Sequence, residues 1–369
     1  MNEPMSSDAL RRCLALRDLT DPAAGAHAMQ LLLGAIVEAL KRRWGCAVVW
    51  HRAHPVVRTR DNYDALGYPP DGAARDARYT RYVAEGSVLR TQTSAMVPPL
   101  LALLAAVEPR DVVLVCPGLV YRRDQIDRHH VGEPHQVDLW RVTRGAMTAT
   151  DLEAMIGAVV EAGLPDRDWR SVDAEHPYTQ RGRQIDVRDG DAWIEVGECG
   201  LADPDLLARA GMPAGVTGLA MGLGLDRLLM LRKGIEDIRL LRADDPRVRA
   251  QMLDLAPYRP VSRMPPVRRD LSIACALERT IEELGDRARE ALGDDAEWIE
   301  AIEIRDETTE LPSRARGRIG MREGQKNVLL RVTIRHPTRT LVDAEANRLR
   351  DRIYAAVHEG TAHQWASEP

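Results

Sequence analysis

Apolar positions recur at helical spacing early in the chain, at Met29, Leu32, Leu33, Ile36, Val37 and Leu40. This predicts one amphipathic helix, with Asp21 as its cap, Pro22 in its first turn and Gly45 at its end. The apolar run 46–50 has the length of a buried strand, and 52–78, polar and interrupted by Pro and Gly, reads as loop. Residues 111–116, stopped by Pro117, and 137–143 read as strands flanking a charged, His-containing loop, 122–134. Further on, 152–162 reads as helix, and 185–187 and 193–196 as strands paired across Asp189-Gly190-Asp191. Residues 218–224 lead as a strand into a helix over 225–232 that Gly234 is placed to cap. Pro257, Pro260, Pro265 and Pro266 force extended chain and predict a domain boundary. Beyond it the pattern predicts strand 270–276, helix 280–292, strands 298–305 and 327–335, and a helix over 340–357 with Thr340 at its start and Asp343 three residues on. A β-α-β-β-α order in about 110 residues predicts a ferredoxin-like α/β sandwich, its fourth strand short or in the C-terminal tail.

Length changes this picture only by making it two domains, 1–255 and 256–369, since 369 residues exceed one small core. No apolar run is long enough to cross a bilayer and no N-terminal targeting pattern is recognisable, so no membrane role and a cytoplasmic location are expected. The five cysteines, Cys13, Cys46, Cys116, Cys199 and Cys275, are odd in number, scattered and without C-x-x-C spacing, which predicts free buried thiols. A net charge of -5 excludes wholesale polycation binding and leaves nucleic-acid contact to local basic patches. Phenylalanine is absent from the whole chain, so Trp, Tyr, Leu and Met must fill the large apolar positions.

Three segments invite a phosphate or nucleotide reading. Arg122-Arg123-Asp124 lies in a loop between strands, where a guanidinium can grip phosphate oxygens with paired hydrogen bonds. Gly222-Leu-Gly224-Leu-Asp-Arg227 is a glycine-bearing strand end opening a helix, but a dinucleotide fingerprint needs glycine where Arg227 stands. In His135-Gln136-Val137-Asp138, strand alternation puts Gln136 and Asp138 on one face, able to hold an ammonium group together. A zinc site from His129, His130 and His135 lacks any matching Cys or carboxylate spacing.

Taken in order, these segments resemble a known family. Cys116-Pro-Gly-Leu-Val-Tyr-Arg-Arg-Asp124, His130 and Pro134-His-Gln136 resemble the second class II motif of phenylalanyl-tRNA synthetases, and 218–239 is similar to their third motif along its length. Residues 62–66, 89–94, 193–196 and 199–200 resemble other catalytic segments, and 263–272, 324–330 and 339–341 the family's anticodon-binding domain. The resemblance implies an α+β protein: a class II synthetase antiparallel-sheet catalytic domain with flanking helices, plus a C-terminal ferredoxin-like α/β sandwich. It implies that Arg122 and Arg227 are the catalytic pair on ATP, with Pro134 and Glu195 also in the ATP site and Mg2+ accompanying the nucleotide, its ligands not identifiable. Gln92, Ser94, Gln136, Asp138, His176, Tyr178 and Ala220 would line the amino-acid site. Arg268, Arg269, Arg314, Arg316, Arg318, Arg322 and Lys326 would meet tRNA, four of these arginines in a stretch, 311–322, free of acids and read as loop.

Departures from the family pattern qualify the substrate. Pro134 replaces a Phe that stacks on adenine, keeping a flat apolar face without the aromatic quadrupole, which predicts weaker ATP binding. Phe-Pro-Phe of the pocket becomes His176-Pro177-Tyr178, a change that the chain-wide loss of Phe devalues as evidence. Gln92, Asp138 and Leu139 replace His, Glu and Gly, and no missing Phe explains them. Three functions follow. The first is a single-chain phenylalanine-tRNA ligase, monomer or homodimer without an obligatory second subunit, whose lack of Phe codons suits a backup or inhibitor-resistant form. The others are a paralogue charging a different amino acid for a biosynthetic pathway, and a non-catalytic tRNA-binding regulatory protein.

Overall fold

The structure, a computed structural model, describes residues 4–107, 111–123, 127–260, 264–336 and 338–363. Asp124, Arg263 and the chain beyond residue 363, on which parts of the motif and fourth-strand expectations rest, lie outside the described residues. Two compact units are present. The first comprises Met1–Arg122, Glu133–Ile235 and Ala250–Tyr258, and the second Arg123–Gly132, Glu236–Arg249 and Arg259–Pro369.

Up to residue 251 the elements are α1 (Ser7–Ala15), α2 (Ala28–Trp44), β1 (Ala47–Trp50), β2 (Val56–Arg58), α3 (Thr59–Asn62), β3 (Tyr82–Ala84), β4 (Ser87–Leu89), α4 (Val97–Ala105), β5 (Val112–Leu119), β6 (His135–Arg144), α5 (Ala149–Gly163), β7 (Trp169–Asp173), β8 (Thr179–Asp189), β9 (Ala192–Ala202), α6 (Pro204–Arg209), β10 (Val216–Gly224), α7 (Leu225–Lys233) and α8 (Pro246–Gln251). Seven strands form one sheet in the order β1-β5-β6-β10-β9-β8-β7. Only the β1–β5 pair is parallel.

The long helix begins later than the sequence suggests. Asp21 caps a single turn, Pro22–Ala24, that ends at Gly25 with φ +104°, and α2 starts at Ala28 under a hydrogen bond from the Met29 N–H to His27 Nδ1. Its predicted apolar positions are all buried, and α2 packs beside α5. Pro117 does not stop β5 either. Pairing with β1 ends at Val115, so at Pro117 the strand has a partner only on the β6 side and loses nothing by lacking an N–H. The supposed loop 52–78 contains β2 and α3, and packs around Tyr63, which is 1% exposed and donates to the Ala74 carbonyl at 2.9 Å.

In the second unit β11 (Val267–Ala276), α9 (Ile281–Leu292), β12 (Ile299–Thr308), α10 (Ser313–Ile319), β13 (Gln325–Ile334) and α11 (Asp343–Val357) follow one another, with the antiparallel sheet ordered β11-β13-β12. Leu271, Ile273, Val328, Leu330, Val332 and Ile334 pack with Leu284, Leu292, Leu349 and Ile353 of α9 and α11 in one core. Among the described residues the sheet has three strands. Beyond α11 the chain runs along the outer edge of β11, where the Glu359 N–H donates to the Ala274 carbonyl at 2.7 Å. Two expectations are corrected. Residues 313–319 are helical, closed by Gly320 at φ +59°, and α11 starts at Asp343 with the Glu345 carboxylate accepting the Val342 N–H, because Thr340 and Asp343 do not form the cap.

Candidate functional site

Register places the chemistry on one face of the large sheet. Gln136 lies opposite Gly118 on β5 and Gly224 on β10; Asp138 lies opposite Cys116 and Gly222; Trp140 lies opposite Leu114 and Ala220. Gly222 in turn pairs with Glu198 on β9, and Ala220 with Gly200. Cross-strand partners share a face, so three rows run across the sheet, named by Gln136, Asp138 and Trp140. A bulge joins Glu195 to this face: Ile185 pairs with Gly197 but Asp186 with Glu195, so one extra residue of β9 re-aims Glu195 to the side that carries Glu198. The Trp140 row is covered by Leu100 and Leu101 of α4 and Leu206 of α6, whereas Gln136 and Glu198 are half-buried and Glu195 is exposed.

Two guanidinium groups lie near this face, of which Arg227 touches Glu195 directly. Arg122 follows β5, and its Nε donates to the Thr91 carbonyl at 2.7 Å. Arg227, in the first turn of α7, donates from Nη1 to the Glu195 carbonyl at 2.7 Å. The Glu195 carboxyl pKa is pushed up by desolvation and then by Glu198, while Arg227 and Arg122 both pull it down. Both cations therefore act on one carboxylate beside the Gln136 row.

Buried groups fix these pieces. His135 is fully buried; its Nε2 accepts the Leu19 N–H at 3.0 Å, so its proton is on Nδ1 and is donated to Asp226 Oδ1 at 3.0 Å. Asp226 also accepts the His135 backbone N–H. One carboxylate thus ties the start of β6 to the turn that carries Arg227. Asp138, 2% exposed, accepts from Thr93 Oγ1 at 2.7 Å, Ser94 Oγ at 3.0 Å and Trp140 Nε1 at 3.0 Å. Burial still raises its pKa, because these three donors are neutral. Arg90, 3% exposed, donates to the Leu119 and Ala53 carbonyls at 2.7 and 3.0 Å and fills the space beside Gly118, where a Cβ would lie 2.2 Å from its Nη2.

Below the Asp138 row lies an aromatic cluster. The Tyr178 ring stacks on Trp140 at 6.1 Å, with Tyr68 at 6.5 Å and His176 at 6.0 Å from it. Tyr68 donates to Gln92 Oε1 at 3.0 Å, and Gln92 Nε2 to the Asn62 carbonyl at 3.0 Å. His176 Nε2 is 2.8 Å from Glu198 Oε2. Burial raises the Tyr68 and Tyr178 hydroxyl pKa values, and Asp138 and Glu198 raise both further.

The structure thus brings Arg122, Arg227, Glu195, Gln92, Ser94, Gln136, Asp138, His176, Tyr178 and Ala220 to one side of the first unit. Pro134 sits there too, half-buried, its carbonyl accepting the Val120 N–H at 2.9 Å. Sequence reasoning missed Tyr68, Thr93, Asp226 and Glu198 as members. In the second unit Arg314, Arg316 and Arg318 are exposed on α10, with Arg322 exposed just beyond it. Arg268 is exposed on β11, whereas Arg269 is paired with Asp343 at 2.9 Å and Lys326 with Glu307 at 3.1 Å. All five cysteines are buried and none is in a disulfide. Among the described residues there is no group of three His, Cys, Asp or Glu fit to hold a metal, and no helix long and apolar enough to cross a membrane. His135 is held by Asp226, and His130 by Asp127 at 2.7 Å.

Residues 22–252, which include every one of the first unit's site residues, match the family model described as tRNA synthetases class II core domain (F). The chain belongs to this family. Among relatives of this class II core, the phenylalanine–tRNA ligase alpha subunit of Nostoc punctiforme is 37% identical over 185 residues, covering 50% of this chain and 54% of that protein. The alpha subunit of Gloeobacter violaceus is 35% identical over 199 residues, 50% of this chain and 57% of that protein. The chain spans about half the length of the curated relatives it matches. A solved pyrrolysyl tRNA synthetase from Desulfitobacterium hafniense aligns at 17% identity with a TM-score of 0.46, covering 63% of this chain and 77% of that chain.

Proposed function

We propose that the chain is a single-polypeptide aminoacyl-tRNA ligase that activates an amino acid of the phenylalanine type with ATP and transfers it to the 3′-terminal ribose of tRNA. The observation that carries this reading is that Arg227, bonded to the Glu195 carbonyl, and Arg122, bonded to the Thr91 carbonyl, flank the strand that holds Gln136 and Asp138. A bent triphosphate over the Gln136 row meets Arg122 at its α-phosphate and Arg227 across the adenine and outer phosphates, with the flat side of Pro134 against the base. Gln136, Ser94 and the buried negative charge of Asp138 orient the ammonium. The substrate carboxylate then attacks the α-phosphorus in line, pyrophosphate leaves, and the tRNA 2′-hydroxyl attacks the adenylate. No protein nucleophile takes part; positioning and the two positive charges supply the catalysis.

Mg2+ fits this arrangement as a companion of the phosphates. A hard cation that keeps most of its ligands as water and phosphate oxygen needs only one or two carboxylates, and Glu195, its charge disfavoured by desolvation and by Glu198, is the residue that would hold it. It would neutralise charge on the outer phosphates. For the second unit we propose a ferredoxin-like anticodon-binding domain beginning near residue 256, in which the arginines of α10, with Arg322 and Arg268, meet tRNA phosphates. Arg269 and Lys326 have acidic partners to give up first.

Amino-acid-dependent exchange of pyrophosphate into ATP tests the reading. Wild type is expected to exchange, and Arg227→Ala or Arg122→Ala to lose about 10²–10³ in rate. Exchange unchanged in both variants refutes it. Copurification of an obligatory second chain refutes the single-chain part.

A further inference from the structure

We propose that Glu198, its carboxylate beside His176, selects an amino acid whose side chain carries a hydrogen-bond donor, a hydroxyl or an amine, in preference to phenylalanine. This rests on the activation of an aromatic amino acid proposed above and names its class. Glu198 shares the Asp138 row, and between the two stands only Gly222, so no side chain separates the carboxylate from the space over the row. Ala220 and Gly200 lie in the next row, where the Tyr178 ring stacks on Trp140. His176, 2.8 Å from Glu198 Oε2 and with its ring 6.0 Å from that of Tyr178, places the carboxylate beside the aromatic cluster. His176 reaches Oε2 at 2.8 Å with one ring nitrogen, while its other nitrogen lies 3.4 Å from Thr179 Oγ1.

A carboxylate only accepts, and the Glu198 side chain is 43% exposed, so water solvates its remaining lone pairs. An unsubstituted phenyl ring entering beside it displaces that water and returns no donor. A side-chain hydroxyl or amine returns one, and sites built to bond such a group reject the analogue lacking it far more strongly than apolar pockets reject an extra methylene. The absence of phenylalanine from the whole chain accounts for any non-Phe residue at 176 and 178, but gives no reason for an acid at 198.

Calorimetric titration of the full chain with phenylalanine, tyrosine, 3-hydroxyphenylalanine, β-hydroxyphenylalanine and 4-aminophenylalanine reads the pocket without requiring catalysis. At least one donor-bearing amino acid is expected to bind about tenfold or more tighter than phenylalanine. Glu198→Gln, isosteric and folded by its melting curve, is expected to shrink that ratio, and Glu198→Ala to abolish or invert it. Phenylalanine binding as tightly as every other member of the panel, or a preference that both variants leave intact, overturns the proposal. Pyrophosphate exchange on the same panel separates the two ideas. Exchange with phenylalanine alone overturns the selectivity and spares the activation. Donor-selective binding without exchange for any amino acid spares the selectivity and overturns the activation.

Discussion

Replacing Gly222 with alanine sets one methyl on the floor of the site, between Asp138 and Glu198. An ideal Cβ there has Asp138 Oδ2 as its nearest neighbour, at 3.9 Å, an ordinary contact, and its backbone is not in the left-handed region. The free fold therefore accepts the methyl, and trading strand glycine for alanine removes unfolded-chain entropy worth about 0.5–1 kcal/mol. For a unit of this size that raises the melting temperature by roughly 1–4 °C. Activity moves the opposite way. In the proposed placement the α-carbon of the substrate crosses this floor with its ammonium by Asp138, so the methyl overpacks the complex by about 1–3 kcal/mol. In amino-acid-dependent pyrophosphate exchange this is a loss of about 5- to 160-fold in kcat/KM. Thermal melts and exchange kinetics on one preparation read both effects. A variant that melts higher and exchanges at the wild-type rate would refute the placement of the amino acid over Gly222; one that melts well below wild type would refute the packing argument.

The neighbouring Gly197→Ala is expected to behave differently, because its Cβ would lie 2.4 Å from the Gly222 carbonyl oxygen and backbone must shift; a loss of about 2 kcal/mol or more in denaturant unfolding is the expected result. In α11, hydrogen bonds from Arg339 and then from the Val342 N–H hold the Glu345 carboxyl at about 2, below its ordinary 4.5. A depressed carboxylate stabilises above its unfolded pKa and loses that contribution as pH falls through the folded value. Glu345→Gln should therefore be less stable than wild type at pH 7, with the gap closing between about pH 4.5 and pH 2 in melts across that range. Arg314→Ala with Arg318→Ala should weaken tRNA binding similarly for different tRNAs and lower the slope of log affinity against log salt by about 1.4–1.8, as measured by filter binding at several salt concentrations.

Much of the site was legible because it is built from local patterns. Alternation put Gln136 and Asp138 on one face, and Gly224 followed directly by a helix put Arg227 at the end of that face, as the register bears out. Glu198 was not legible, since counting by twos from Glu195 sends it to the opposite side, and only the bulge opposite Ile185 and Asp186 brings it back. The tie between His135 and Asp226 spans 91 residues and has no local signature. Pro117 was misread as a stop because whether a strand needs a given N–H depends on where its neighbour ends, here at Val115. The α10 helix was missed because Gly317 and three arginines make a polar stretch with one buried residue, Ile319, too little to register as a periodic face.

The central claim is that Arg122 and Arg227 serve one nucleotide. A crystal structure of the full chain with a non-hydrolysable aminoacyl-adenylate analogue tests it most directly. Both guanidinium groups are expected within hydrogen-bonding reach of the same ligand, its phosphate mimic beside Arg122 and its adenine under Arg227. An analogue bound with either arginine turned into a separate cavity would contradict it.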